Sequence, residues 1–562
     1  MVVTRYKAGV GASRVTVCGT LYFRRGKNFL TVIIGSVLLA LSPGRTIAAE
    51  FDAGGGDAKL RWDNTVKYST AVRLSGPNRA LLSDPNADDG DRSFHGGIVS
   101  NRFDLLSQLD FSKAWFGFDV SAALWYDTVY NQKNADNSPA TFNPVSVSHD
   151  EFTRATRTLH GADAELVNAF VYVNTELAGI PASFRLGRHT LLWGESLFFP
   201  DNGIAAGQAP IDEIKVLGRP TAYAKDVFMP VTQASVSLQL SGSLTLDAYY
   251  QFEWRKTRTP GVGSYFSDAD YLDEGGERYI LGPGQYLFRD PDLRPPGTGQ
   301  YGAALHWSGG QTDYGLYALR FHAKDPQVYL RPGIVLGSGE PPTITDPSIV
   351  NLGIGKFGIY ELVYPKSIEV YGVSASGYLG SANVAGEISA RRNMPLISTT
   401  LIAQPGEVAD GDAHPLYAIG DTLHAQFSAV EMFSRSRAWD SAALNLEIAA
   451  NDRLGVTRNA SALDHSRDAF AVALRGSFEP TYFALLPNLD LTPHLGLGYG
   501  IFGNSSTDAS QTEGAGDIEL GLTATYRAVW TGNIMLSHFL GGAARQPLSD
   551  RDFLTLSVQR TF

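Results

Sequence analysis

Charged side chains in alternate positions are the first candidates for chemistry in this sequence. Asp119, Asp127, Asp247, Glu253, Glu387, Glu447 and Glu519 each sit one residue away from apolar neighbours, as do Arg185, His189, Arg255, Arg391 and Arg527. A channel that selects small ions shows a ring of one sign, and here both signs are mixed. Two readings stay open: pairing across neighbouring strands that fills a lumen, which is favoured, and a polar path for a cargo. His306 and Ser308 share one face of a strand beside Gly309-Gly310. Nucleophilic catalysis would need a third group to orient the histidine, and the sequence identifies none. There is no zinc signature, phosphate loop or nucleophile elbow, so neither a catalytic residue nor a cofactor is expected, and the chain reads as a non-enzyme. The run Asp84-x-Asn86-x-Asp88-Asp89-Gly90-Asp91 suggests calcium. It departs from the EF-hand template, with Gly90 one place late and His95 where the closing Glu belongs. A solvated, turn-rich loop is the expectation there, and no metal site is assigned.

The elements that must position these residues are strands. Leu244, Leu246, Ala248, Tyr250, Phe252 and Trp254 alternate with Thr245, Asp247, Tyr249, Gln251, Glu253 and Arg255, the period of a half-buried strand. The same period runs through 116–126, 442–448 and 518–527. Many such runs reach ten residues, the length of a tilted membrane-spanning strand. Aromatics stand near their ends at Trp62, Tyr68, Tyr126, Tyr130, Trp193, Tyr250, Trp254 and Trp530, where interfacial girdles belong. Leu554, Leu556, Val558 and the terminal Phe562 are in phase, interrupted by Arg560, and Phe562 reads as an assembly signal. Tight turns near 113, 179–181, 241–242, 308–310, 380–381, 434–436, 480–487 and 531–532 alternate with long polar segments. Those segments run roughly over 75–101, 131–164, 194–229, 256–298, 324–365, 393–419, 451–465, 502–515 and 541–551. The expected fold is all-β: one antiparallel transmembrane β-barrel of about eighteen strands, within sixteen to twenty, with short periplasmic turns and long outer loops. A short helix within 149–160 is also expected.

Composition supports this and excludes other classes. The 562 residues include 59 Gly, 11% aromatic and only 18% charged residues, unlike a disordered chain. A single Cys rules out a disulfide scaffold. Residues 1–49 carry seven basic residues, no acid and an apolar stretch from Phe29 to Leu41, the make-up of a signal peptide with cleavage expected near Ala49. Residues 50–562 then hold the other 39 of 46 basic residues against all 57 acidic ones, a formal charge of −18, which speaks against nucleic acid. Within the barrel, the segment 194–229 stands out. Its apolar residues Leu197, Phe198, Phe199, Ile211, Ile214, Val216 and Leu217 would be costly in water, so it is expected to fold inward as a constriction rather than cap the outer face.

Several strings are similar to a known family. Asp88-Asp89-Gly90-Asp91-Arg92-Ser93-Phe94, Asn101 to Leu106, Gly187-Arg188-His189, Trp193-Gly194-Glu195-Ser196, Phe198-Phe199 and Gly263 to Ser267 resemble the proteobacterial outer-membrane proteins of domain of unknown function 1302. Gly207 to Asp212 departs from the Asn-Pro-centred motif expected there. The resemblance implies a bacterial outer-membrane barrel discussed with hydrophobic-compound metabolism, and it implies no established activity. The combined expectation is an outer-membrane channel or transporter for a hydrophobic or amphipathic organic compound. The alternative is a structural or adhesive surface barrel. Expected partners are outer-membrane lipid and lipopolysaccharide, the barrel-assembly machinery and a periplasmic transport partner.

Overall fold

Alternation of apolar and polar residues lets a strand put one face to lipid and one to an interior, and a ring of such strands leaves no backbone edge unpaired. The computed structural model describes residues 49–52, 57–272, 274–335 and 343–562. The segment read as a signal peptide lies outside them apart from Ala49. Strands β1 to β6 are Ala58–Arg73, Gly97–Lys113, Phe116–Asp127, Ala162–Leu177, Ile180–His189 and Val231–Ser241. Strands β7 to β12 are Leu244–Gln251, Gln300–Gly309, Thr312–Phe321, Ile368–Leu379, Ala382–Pro395 and Ile419–Phe433. Strands β13 to β18 are Ser441–Arg458, Phe470–Leu486, Leu489–Phe502, Gly516–Tyr526, Trp530–Leu540 and Phe553–Thr561.

Each strand pairs antiparallel with the next, and β18 returns to β1 in register Thr65↔Thr561 to Arg73↔Phe553, which closes an eighteen-strand barrel. At that seam Asn64 and Phe562 exchange N–H···O bonds of 2.8 and 2.9 Å. A further strand, Ala49–Asp52, pairs with Lys59–Trp62 and continues the seam beyond the C-terminus. Arg560, which breaks the apolar phase, lies over the Trp530 ring at 5.2 Å, so its charge is held against an aromatic face.

Burial inverts the logic of a soluble protein. Leu316, Val373, Ile388 and Leu520 are about half exposed, whereas Glu447 and Glu519 are no more than 1% exposed. An apolar belt of this kind is a liability in water and the expected coat of a barrel in lipid. Trp62, Tyr68 and Tyr250 are exposed on it. Tyr130 and Trp193 are instead buried: both lie in loops folded over or into the barrel, so they are not girdle residues.

All short connections are at one end and all long ones at the other. Some expected boundaries shift. The turn placed at 531–532 is at 527–529, where Arg527 and Ala528 take positive φ. The strand expected to reach Arg255 stops at Gln251, and β13 continues to Arg458. The expected helix is a turn at Arg154–Thr156 running into a π-helical turn, Arg157–Gly161. Over the long-loop end sits a five-stranded sheet of Arg278–Gly282, Gln285–Arg289, Gln327–Pro332, Lys356–Val363 and Leu401–Ile402. It buries Leu287, Leu330, Tyr360 and Leu362.

The phase of β7 makes a direct prediction. At about 3.3 Å per residue and a tilt of about 40°, Ala248 stands about 12 Å from its turn, near mid-belt. Ala248→Arg should cost about 2–4 kcal/mol, read as a shift in the urea-unfolding midpoint of the refolded barrel. Gln251 faces inward, is 1% exposed and donates to Gln208 O at 2.5 Å. Gln251→Arg should therefore also be costly, by crowding rather than by contact with lipid. Thr245→Arg, in the inward phase but half-buried near the turn, should be tolerated. Equal losses for Ala248→Arg and Thr245→Arg would mean the phase is wrong.

Candidate functional site: a loop bound across the barrel interior

Inward-facing charges in a closed barrel must find partners, because buried charge without one is expensive. Here the partners are mostly main-chain groups of one loop, 190–230, between β5 and β6. Glu387 on β11 accepts from Glu195 N–H at 2.5 Å, Ile204 N–H at 2.8 Å and the Gln426 amide at 3.0 Å. Glu447 on β13 accepts from Leu197 N–H at 2.9 Å, Phe198 N–H and Phe199 N–H at 3.1 Å. Glu519 on β16 accepts from Thr221 N–H at 2.9 Å and from the Thr221 hydroxyl, with His494 at 3.6 Å. Arg391 on β11 donates to the carbonyls of Asp201, Asn202 and Gly203 at 2.7–3.0 Å. Strand β13 lies eight strands from β5 around the ring, so the loop crosses the interior.

Local sequence explains how the loop fits. Gly194 has φ +87°, and a Cβ there would meet the Glu387 carboxylate at 2.1 Å, so only glycine lets the amides reach it. Trp193 and Ile204 pack with Tyr249, Tyr317, Leu319 and Phe321 from β7 and β9, seating the loop on the inner wall. Ala205, Ala209, Ile211, Ala224, Val227 and Phe228 form a small core of the loop's own. Phe198 stacks on Tyr223 at 5.5 Å. Leu197, Phe199, Ile214, Val216 and Leu217 remain half-buried, and Leu217 packs toward the Phe94–Tyr265 cluster.

The other sequence candidates fall in several places. Asp119 is half-buried on the inward phase of β3, and Arg185 is exposed on that of β5 with its guanidinium 6.0 Å from the Phe170 ring. Asp127 closes the end of β3, accepting from Ser100 Oγ, Asn101 N–H and Val129 N–H. His189 is buried at the end of β5 against Gly187 O and Ser235 Oγ, both at 3.1 Å. Asp247 pairs with His306 at 3.3 Å, supplying the acid that the sequence left unidentified. No hydrogen bond joins His306 to Ser308 among the described residues. Glu253 and Arg255 are loop residues, because β7 ends before them. Glu253 accepts from Thr232 N–H and Oγ1, and Arg255 pairs with Glu165 at 2.9 Å. Arg527 does not face the lumen. It is exposed in the short turn after β16, beside Tyr526.

Sequence reasoning missed several residues that hold the loop. Arg475 donates to Pro220 O at 2.7 Å and pairs with Asp517 at 2.6 Å. Asp517 shares the inward phase of Glu519, so the period-two pattern could have found it. Asn202 bonds His424 at 3.0 Å, and Gln208 accepts from Trp193 N–H at 2.6 Å; no sequence signal marks either residue. Lys324, beyond β9, donates to Ala206 O at 2.9 Å and Gly207 O at 3.3 Å. Burial pushes its ammonium pKa down to about 7. An unfolded lysine keeps its proton to about pH 10.4, so between pH 7 and 10 the unfolded chain binds more protons and stability rises with pH. Lys324→Met should remove this contribution, so its stability, measured by urea unfolding, should climb less steeply than wild type across that window. Parallel slopes would refute the assignment.

At the outer mouth, Glu165 on β4 bridges Arg255 at 2.9 Å and Arg258 at 2.5 Å, with Arg188 at 3.7 Å. These charges border a cavity of about 1170 Å³ whose other walls include Leu159, Met229 and Trp254. Apolar surface and charge of both signs face the same space, with Arg154, Lys256 and Arg294 beside these arginines against Asp163, Glu165, Glu274 and Glu277.

Among solved structures, the chain is similar to OccAB4 of Acinetobacter baumannii, with 9% identity, 91% of this chain and 99% of that one covered, and a TM-score of 0.41. It is similar to a BenF-like porin from Pseudomonas fluorescens Pf-5, with 10% identity, coverage of 90% and 98%, and a TM-score of 0.41. The outer membrane channel DcaP of Acinetobacter baumannii gives 9% identity, coverage of 91% and 99%, and a TM-score of 0.35. No curated protein matches the sequence. The family described as protein of unknown function (DUF1302) matches residues 30–562, and the chain belongs to that family.

Proposed function

We propose that this protein is an outer-membrane channel for a hydrophobic or amphipathic organic compound, with loop 190–230 as its constriction. The observation that carries the reading is the loop's attachment across the interior by Glu387, Glu447 and Glu519. An eighteen-strand barrel is wide enough for an aqueous passage unless something fills it. A loop that fills it with half-buried Leu197, Phe199, Ile214 and Leu217 narrows the passage and gives it apolar walls. The mouth cavity supports an amphipathic cargo, since Leu159, Met229 and Trp254 can take an apolar body while Arg188, Arg255 and Arg258 face a polar end.

The test is flux into proteoliposomes containing the purified barrel. Wild type should admit an amphipathic aromatic acid in preference to a neutral sugar of similar size. Phe199→Ser with Ile214→Ser should reduce that preference while the barrel remains assembled. Equal flux of both solutes through wild type would sink the reading and leave a general pore or a non-transport barrel.

A further inference from the structure

The acidic run expected to be a solvated loop is buried. Asp88, Asp89 and Asp91 are each 0% exposed, as is Asp270 from the loop after β7. Asp91 is neutralised by Arg73 at 2.8 Å and Arg551 at 2.8 Å, and Asp88 by Arg92. Asp89 and Asp270 have no basic side chain paired with them among the described residues. They are held together by Asp89 N–H donating to Asp270 Oδ2 at 2.9 Å. Two fully buried carboxylates side by side without a paired countercharge are unfavourable. Buried charges are paired or coordinate metals.

Separate observations point to a bound cation. Asp88, Asp89 and Asp270 each place a carboxylate oxygen such that all three lie within 4.8 Å of one another. Oxygens about 2.4 Å from one calcium ion can be at most about 4.8 Å apart, so one ion can touch all three, and calcium suits a fully buried set of protein oxygens better than magnesium, which keeps several waters. Orphaned oxygens also come from a third loop, the one between β3 and β4. Asn143 is 0% exposed, and its main-chain N–H donates to Asp89 Oδ2 at 3.1 Å. Its side-chain amide donates to Asn86 Oδ1 and Arg278 O, yet its Oδ1 has no hydrogen-bond partner. Asp136, 4% exposed and close enough for its charge to act on both Asp88 and Asp89, likewise leaves Oδ2 without a partner. Asp89 Oδ1 is a third such atom. Unsatisfied buried acceptors are rare, and these three belong to residues that bond one another or act on one another's charge. A hard cation among Asp88, Asp89 and Asp270 would neutralise the buried charge at the centre of this neighbourhood.

We propose that Asp88, Asp89 and Asp270, with Asn143 and Asp136 beside them, form a calcium site that ties together the loops after β1, β3 and β7. Gly90 serves the same assembly, because a Cβ there would meet Ser267 O at 2.4 Å and Ser264 O at 2.8 Å. Glycine at this place allows the Asp89–Arg92 turn to approach the segment that carries Asp270, rather than shaping an EF-hand loop. The site's role is to rigidify the outer mouth, and it stands whether or not the barrel is a channel.

The experiment uses the full barrel, refolded in detergent without lipopolysaccharide and stripped of divalent ions. Equilibrium dialysis with radioactive calcium should give one ion per chain, with magnesium competing at least tenfold more weakly. Asp89→Asn and Asp270→Asn should each weaken binding tenfold or more. Calcium should also slow proteolysis of the outer loops in wild type and leave both variants unprotected. In chelator, Asp270→Asn should resist protease at least as well as wild type, because one uncompensated buried charge has been removed. That arm separates loss of the site from misfolding. The proposal is overturned by no stoichiometric calcium uptake at millimolar concentration, by undiminished uptake in the variants, or by magnesium competing equally.

Discussion

Replacing both Glu387 and Glu447 with alanine should release loop 190–230 from the far wall and raise single-channel conductance in planar bilayers severalfold. The two carboxylates accept five main-chain N–H groups, from Glu195, Ile204, Leu197, Phe198 and Phe199. A buried donor left without an acceptor costs about 1–3 kcal/mol, so five of them should outweigh what Arg391, Glu519 and the packing of Trp193 and Ile204 still offer the loop. The barrel should survive, because none of the five N–H groups belongs to its wall. Heat-modifiable gel mobility would check this. Glu447→Gln keeps an acceptor oxygen but loses the charge, and should fall between wild type and Glu447→Ala. Asp119→Ala, at an inward carboxylate on β3 for which no bond to the loop is found, is the control that should leave conductance unchanged. An assembled double variant with wild-type conductance would take the loop out of the permeation path.

The barrel was legible because a membrane strand writes its environment into alternate residues. In β7 the outward set Leu246, Ala248 and Tyr250 and the inward Gln251 can be read without knowing a neighbour. The same local rule fails where alternation outlasts hydrogen bonding: Glu253 to Arg255 keep the pattern, yet the strand ends at Gln251 and its last bond to β6 is from Phe252 N–H to Thr232 O at 2.9 Å. It fails in reverse at Asn451 and Asp452, polar residues that look like a loop but continue β13, with Asn451 2% exposed against Gln511. Thr531-Gly532 looked more like a turn than Arg527-Ala528, because positive φ at two non-glycine residues is uncommon and composition does not announce it.

The candidate site was half legible for a different reason. Period two gave the inward direction of Glu387, Glu447 and Glu519, but not their partners. Those are main-chain amides, which every residue has, so nothing in the identity of Leu197 or Thr221 marks it as the donor. The Asp88–Asp91 run misled because a cluster of acids normally means water. What buries it is contributed from far along the chain, by Asn143, Asp270 and Arg551, the last 460 residues from Asp91. A local reading sees the charges and misses the lid.

That lid yields the second large expected effect, at Arg551. Its side chain is 1% exposed and donates to Asp91 Oδ1 at 2.8 Å, to Tyr265 O and to Ser267 O at 3.4 Å. It thereby joins the loops after β1, β7 and β17. Arg551→Ala leaves Asp91 with Arg73 as its remaining cationic partner and strips two buried carbonyls of a donor. Removing one member of a buried ion pair typically costs about 3–5 kcal/mol, because the charge left behind stays out of water. The loss should be local to the loops, since β1 and β18 remain paired through nine residue pairs at the seam. The expected result is a barrel that still assembles and still shows heat-modifiable mobility, but whose outer loops are cut rapidly by protease added to intact cells. Arg551→Lys should rescue little, because a single ammonium cannot reproduce a planar fork of donors directed at three acceptors. If the outer loops of Arg551→Ala resist protease as well as wild type does, the network is ornamental and the loops are held by the packing of Phe94, Tyr130, Phe152 and Tyr265 alone.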